Sequence, residues 1–354
     1  MSFKSKINHY RRTIMKALTG NIGKGLLHQK GQENLDLELN RVLICRPNQR
    51  LGNTLLITPL VQEIIKENPD VIIDIFVKGR VAPIIFQNYP QVDQIIELPK
   101  KPFKELFNYV KVWFKIRNKK YDLAINVHQE SSSGRISTIL SRSKYKLFGD
   151  EFLTDSNESE QIHLAKIPVY QFRKFLEIVK GNRSVNDYPI MDLQLNTSEI
   201  ENGKKLLNGL IQNPTKKTLA FFTYATGDKC YVANWWTNFY DDFYPKYSGQ
   251  YNLVEILPVE DISMLDRKLT TFYSKDVREI AAFMKNCELL VAADSGMMHL
   301  GVAAKTKTIG LFKSNGYKKY EPYGNGNTMV LVEDDNHLPM MKVLDDILNE
   351  FKTN

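Results

Sequence analysis

Apolar positions along the chain come in short continuous runs separated by segments of helical spacing. Arg41–Cys45, Val71–Val77, Gln94–Leu98 and Leu123–Val127 read as strands. Between them, Asn53–Asn68 carries Leu56, Leu60, Ile64 and Ile65 on one helical face, and Ala82–Gln87, Phe103–Arg117 and Ser131–Leu140 read as further helices. Runs without polar alternation fit a parallel sheet covered on both faces. Residues 141–190 are less regular, with a helix within His163–Val179. After Asp192 the rhythm restarts. Strands are expected at Thr218–Phe222, Asn252–Leu257, Glu288–Ala293, Thr308–Phe312 and Met329–Val332. Helices are expected at Ser198–Gly209 (capped by Ser198), Trp235–Tyr244, Asp276–Lys285, His299–Ala304 and Met341–Phe351. The pattern predicts two doubly wound α/β domains, 33–190 and 191–354, with a cleft lined by the C-terminal ends of both sheets. The last helix is a candidate to pack back on the first domain.

Composition fits this picture: of 354 residues, 43% are apolar and 25% charged. Cys45, Cys230 and Cys287 lie far apart and form no metal spacing, which suits a reducing cytoplasm and argues against a disulfide scaffold or structural zinc. No apolar run approaches the roughly 18–20 residues of a membrane span, and the N-terminus lacks a signal-peptide pattern.

Charge changes the picture once it is located. The net charge is +8, yet residues 1–32 hold seven bases and no acid, leaving 41 bases and 40 acids in the remainder. The body is near neutral, which argues against a nucleic-acid enzyme. Within 1–32, Ile7, Tyr10, Ile14 and Leu18 follow helical spacing, so a basic amphipathic arm suited to anionic lipid is expected. Gly20, Gly23 and Gly25 limit that helix, and the alternatives are a solubilising arm or a helix packed on the body.

Three turns have the makings of sites. In Glu288–Gly301 a strand ends at Ala293, Asp294-Ser295-Gly296 makes a turn, and a helix bearing Met297, Met298 and His299 begins at once. Its first N–H groups have no internal partner and suit a phosphate, although Asp294 or Ser295 capping the helix would equally fill the role. In the first strand–helix turn, Arg46, Arg50 and Gly52 precede Asn53 and Thr54, without a G-x-G-x-x-G or a P-loop pattern. Here Asn53 or Thr54 could simply cap the helix. The third turn, Thr223–Lys229, offers Lys229 to an anion. His128 and Glu130 end another strand and have acid–base chemistry. Trp235 and Trp236 fit a core better than a stacking site.

Together, R-V-L-I-C-R-P-N-Q-R-L-G-N-T-L-L-I-T-P-L, Y-D-L-A-I-N and V-R-E-I-A-A-F-M-K-N-C-E-L-L-V-A-A-D-S-G-M-M-H-L-G-V-A-A resemble glycosyltransferase family 9, which includes the ADP-heptose:lipopolysaccharide heptosyltransferases. The resemblance runs from Arg41 to Phe351. It implies a GT-B-like fold of two Rossmann-like domains facing a cleft, the acceptor on the first (Arg46, Arg50, Gly52). The nucleotide sugar would lie on the second, at Thr223, Lys229, Asp294, Ser295, Gly296, Met297, Met298 and His299. It implies an inverting transfer without metal or other cofactor, from a nucleotide-diphosphate sugar (ADP-heptose by default) to a lipid-linked envelope glycan. The location implied is the cytoplasmic face of the bacterial inner membrane. A family acid that holds the donor ribose has Glu255 or Glu260 as its counterpart.

The chain departs from the family at three places. The aspartate that follows the first-turn glycine, proposed as catalytic base, is Asn53 here, and an amide accepts no proton at neutral pH. His128 and Glu130 are the replacement candidates. Met297 stands where the family has proline, and Cys230–Asn234 lengthens the step from Lys229 to Trp235. Two other readings follow from Asn53 and from the fold: a non-catalytic nucleotide-sugar binder, and a GT-B-fold nucleotide-sugar epimerase.

Overall fold

The computed structural model describes residues 13–14, 17–23, 37–99, 105–152, 162–181, 187–333 and 336–353. The chain forms two compact units, Met1–Pro189 and Ile190–Asn354.

In the first unit, β1 (Arg41–Arg46), β2 (Ile72–Lys78), β3 (Val92–Leu98), β4 (Lys120–Asn126) and β5 (Arg142–Leu147) form a parallel sheet in the order β3-β2-β1-β4-β5. Val42, Leu43, Ile44 and Cys45 of the central β1 are fully buried, as continuous apolar runs require. The expected helix over 53–68 is two helices, α1 (Leu51–Leu55) and α2 (Thr58–Glu67). Pro59 has no N–H to give to a continuing ladder, so it sits in the first turn of a new helix. Helices α3 (Ala82–Phe86), α4 (Leu106–Asn118), α5 (Ser132–Leu140) and α6 (Lys166–Lys180) flank this sheet in sequence, and residues 13–14 and 17–19 are also helical. Trp113 and Ile116 of α4 pack over Phe76 and Leu43. Asp74 of β2, a polar interruption in an apolar run, is buried and held by Arg41, Lys119 and Tyr121 at 2.9–3.0 Å.

The second unit starts with α7 (Thr197–Leu210). Its cap is Asn196 rather than Ser198: Asn196 Oδ1 accepts from the Glu199 N–H, and Glu199 Oε2 accepts from the Asn196 N–H. Then come β6 (Thr218–Phe222), α8 (Ala233–Tyr247), β7 (Asn252–Ile256), β8 (Thr270–Phe272), α9 (Val277–Lys285), β9 (Leu289–Ala293), α10 (Gly296–Ala303), β10 (Lys307–Phe312), β11 (Thr328–Leu331) and α11 (Leu338–Thr353). The sheet runs β11-β10-β9-β6-β7-β8, all neighbours parallel. Numbered by appearance, this is the dinucleotide-fold order 3-2-1-4-5-6. Trp235 and Trp236 are buried in its core, and Met340, Leu344 and Leu348 of α11 join that same core.

Helix α10 is apolar nearly all round and lies close on the sheet. A Cβ on Gly301 would come within 2.3 Å of Leu290, and one on Gly310 within 2.5 Å of the Met298 sulfur. These two glycines let the helix approach, which fixes its N-terminus at the C-terminal end of β9.

Candidate functional site

In an open α/β sheet, ligands bind beyond the C-terminal strand ends where strand order reverses. In the second sheet that point lies between β6 and β9. The loop after β6 is Thr223–Lys229 and the turn after β9 is Asp294–Gly296, so two of the three candidate turns meet there. Lys229, in a 3-10 turn at Gly227–Lys229, places its Nζ 2.6 Å from Asp294 Oδ2 and 5.3 Å over the Tyr320 ring. The Lys229 side chain is half exposed, leaving its charge open to a ligand.

Ser295 occupies the N-cap position of α10, yet its side chain makes no capping bond. The Ser295 Oγ is buried with no hydrogen-bond partner, and so is His299 Nδ1 one turn on. Buried polar atoms are normally paired, so two orphans beside free helix N–H groups mark a place built for a polar ligand. The Met298 side chain faces the sheet, leaving only its backbone to the site, while Gly296 and Met297 are partly exposed. Burial first, then the nearby Lys229 charge, push His299 down to about 4. It is a neutral imidazole at pH 7.

That shift carries a stability prediction. Between about pH 6.5 and 4 the unfolded chain binds a proton at residue 299 that the folded chain excludes. This part of the stability is full above that window and falls as pH drops through it. Thermal melts of wild type and His299→Gln across pH 4–7 are expected to show a shallower acid decline in the variant.

Around this centre the partners are already committed. The Thr223 hydroxyl donates to Glu255 Oε1 at 2.6 Å and accepts from the Met264 N–H at 3.3 Å, while Ser263 Oγ donates to Glu255 Oε2 at 2.5 Å. Glu255 is fully buried, which pushes its carboxyl up. It pins the loops after β6 and β7 together and has both oxygens occupied. Glu260, in the loop after β7, is exposed. Sequence reasoning missed Tyr320 and Lys313. Lys313, just after β10, donates to the Cys230 carbonyl at 2.8 Å and lies 4.7 Å over the Tyr231 ring, bracing the segment that follows Lys229. Neither has a local sequence signal, because both act from the β10–β11 connection, far in sequence from the Thr223–Lys229 loop they meet.

In the first sheet the order reverses between β1 and β4. Arg46 is buried at the end of β1 and Gly52 is buried in α1, while Arg50 is exposed and Asn53 half-buried. The Asn48 side chain accepts from the Arg50 N–H at 2.9 Å and shapes the turn. The Val127 N–H donates to the Cys45 carbonyl at 3.1 Å, so the loop carrying His128 and Glu130 lies beside that turn. His128 is half-buried and Glu130 exposed. Asn126 Nδ2 holds the loop through the His128 and Phe148 carbonyls at 2.9 and 2.8 Å.

Buried Arg135 braces the same loop. It donates to the carbonyls of Gln129 at 2.8 Å and Ile22 at 2.7 Å and pairs with Asp150. Thr19 Oγ1 donates to Ser132 Oγ at 2.8 Å, and Gly23 abuts the Phe148 ring. Residues 19–23 of the basic arm are therefore docked on the first unit, while residues 1–12, 15–16 and 24–36 lie outside the described residues. Among the described residues no group of three His, Cys, Asp or Glu side chains could hold a metal, and no helix is long and apolar enough to cross a membrane.

Residues 274–348, which include β9, the Asp294–Gly296 turn and α10, match the family model of glycosyltransferase family 9 (heptosyltransferase). No curated protein sequence matches the chain. Among solved structures, the family 9 glycosyltransferase from Veillonella parvula is 18% identical with a TM-score of 0.66, over 88% of this chain and 91% of that one. The ADP-heptose lipopolysaccharide heptosyltransferase II of E. coli is 14% identical, TM-score 0.66, over 88% and 99%. E. coli heptosyltransferase WaaC, solved with ADP, is 14% identical, TM-score 0.64, over the same shares of 88% and 99%. Similarity at this identity shows a common fold: two parallel sheets with interleaved helices, as in GT-B-like glycosyltransferases.

Proposed function

We propose that the protein is a family 9-like glycosyltransferase whose second unit binds a nucleotide-diphosphate sugar at the β6/β9 switch point. One observation carries this reading: Lys229, the uncapped N-terminus of α10 and the orphaned Ser295 hydroxyl converge where a diphosphate would sit. The family match covers that same turn. The heptosyltransferase neighbours include one solved with ADP, which supports ADP-heptose as the first donor to try.

In the transfer, the acceptor hydroxyl oxygen forms a bond to the anomeric carbon as the bond from that carbon to the diphosphate oxygen breaks. The diphosphate leaves with the electron pair, inverting the anomeric centre, and a base takes the hydroxyl proton. Helix N–H groups and Lys229 stabilise the leaving charge without a metal. The acceptor is a lipid-linked envelope glycan near Arg46, Arg50 and Gly52, reached at the inner face of the bacterial inner membrane.

The test is a thermal-shift panel of nucleoside diphosphates and nucleotide sugars, followed by a transfer assay with the stabilising donor. A ligand at 100 times its dissociation constant adds about 2.7 kcal/mol. No shift with any nucleotide would overturn the donor reading.

Asn53 favours a second reading, a nucleotide-sugar binder without transferase activity. Asn53→Asp separates the two. A carboxylate restored at this position is expected to raise transfer about tenfold, short of the 10²–10⁴ of an evolved base because nothing around it is tuned. An unchanged rate, together with a loss in His128→Ala, would put the base on the β4 loop. No transfer in wild type or Asn53→Asp would leave the binder.

A further inference from the structure

We infer that the exposed face of α4 is a docking surface for an anionic lipid bilayer. The helix has one buried side, where Trp113 and Ile116 meet the sheet. Its opposite side presents Phe107, Val110 and Phe114, exposed by 82%, 44% and 61%. They are spaced three and four residues apart and form one stripe. Two phenylalanines this open on a folded domain are costly in water unless something covers them.

Charge identifies the cover. Residues 100–120 hold eight bases against one acid, Glu105, a local net charge of +7 in a body that is close to neutral overall. Lys119 is spent on Asp74 and Asp93. Lys111, Lys115 and Arg117 are exposed, with no ion-pair partner among the described residues. An aromatic stripe flanked by bases is the pattern of a helix lying in a headgroup layer, its rings at the acyl boundary and its bases on lipid phosphates. A second copy of the chain is a poor occupant, because it would set this positive face against itself.

The α4 segment is distinct in sequence from the basic arm. It supports the lipid-linked acceptor reading but is tested without nucleotide, so failure of docking and failure of donor binding are distinct results. The experiment is sedimentation of the full chain with phosphatidylcholine vesicles and with mixed phosphatidylcholine–phosphatidylglycerol vesicles. Binding to the mixed vesicles only is expected. Phe107→Ser/Phe114→Ser should cut the partition coefficient about tenfold or more at any salt concentration. Lys111→Glu/Lys115→Glu should remove mainly the salt-sensitive part. In a Phe114→Trp variant, brominated lipid should quench an added emission component. Unchanged sedimentation in the phenylalanine variant, or no quenching, would overturn the proposal. So would a concentration-dependent dimer that this variant abolishes. Near-ultraviolet circular dichroism identical to wild type is required of each variant, and these exposed substitutions are expected to meet it.

Discussion

Ser295→Asp is expected to make the ligand-free protein more stable while abolishing nucleotide binding. In the wild type the cap position of α10 is filled by a serine whose hydroxyl makes no bond to the helix. An aspartate there would accept from the free N–H groups of the first turn and oppose the positive end of the helix dipole, worth about 1 kcal/mol. The same carboxylate would take the place of the diphosphate and repel it. A loss of at least a hundredfold in affinity, about 2.7 kcal/mol, is expected. Melting temperatures with and without nucleoside diphosphate read both effects, and they have opposite signs. A variant that still shifts with nucleotide would move the donor site away from α10. Ser295→Ala, which neither caps nor repels, is expected to bind with a modest loss.

Glu63→Ala is expected to cost the first unit about 3–5 kcal/mol. Glu63 of α2 and Arg173 of α6 form a two-pronged pair, Nε to Oε1 at 2.6 Å and Nη2 to Oε2 at 2.9 Å, with side chains only 11% and 7% exposed. Arg173 also donates to the Asp187 carbonyl at 2.7 Å and lies 5.1 Å from the Tyr188 ring. Removing the carboxylate strands a buried guanidinium that cannot lose its proton. The pair itself adds less than its removal costs, since burying both charges is expensive. Glu63→Leu/Arg173→Met should therefore recover most of the loss. Urea unfolding followed by Trp113, the tryptophan of the first unit, measures both, and equal destabilisation in the single and double variants would contradict this account.

The strands and helices that the sequence failed to announce share a physical cause. β5 reads Arg-Ser-Lys-Tyr-Lys-Leu and β8 is three residues long, and both are sheet edges. β5 is exposed or half-buried at most of its positions and β8 is too short to show a pattern, so neither has the continuous apolar run that betrays β1 or β9. The edge strands β3 and β11, by contrast, keep enough apolar residues to be read. The division of 53–68 at Pro59 was visible as a residue, but a proline in a first turn and one inside a helix look alike until the ladder is seen. Whether the basic arm lies on lipid or packs on the body stays open in the sequence, because its composition says nothing about Arg135, more than a hundred residues away, which holds Ile22.

What the sequence determined by itself was the alternation of buried strand and helix and the glycine turn that opens α10. Each is encoded within a window of about ten residues, where local periodicity and backbone freedom act. Only the tertiary structure decided which loops meet. The sheet order sets the turns after β6 and β9 side by side, aims Lys229 at Asp294 and Tyr320, and leaves Ser295 and His299 unpaired within reach of them. It also spends Glu255 inside the protein and leaves the α4 phenylalanines outside it. Such pairings join residues separated by tens of positions, through strand order and burial, and neither quantity is a property of any one segment.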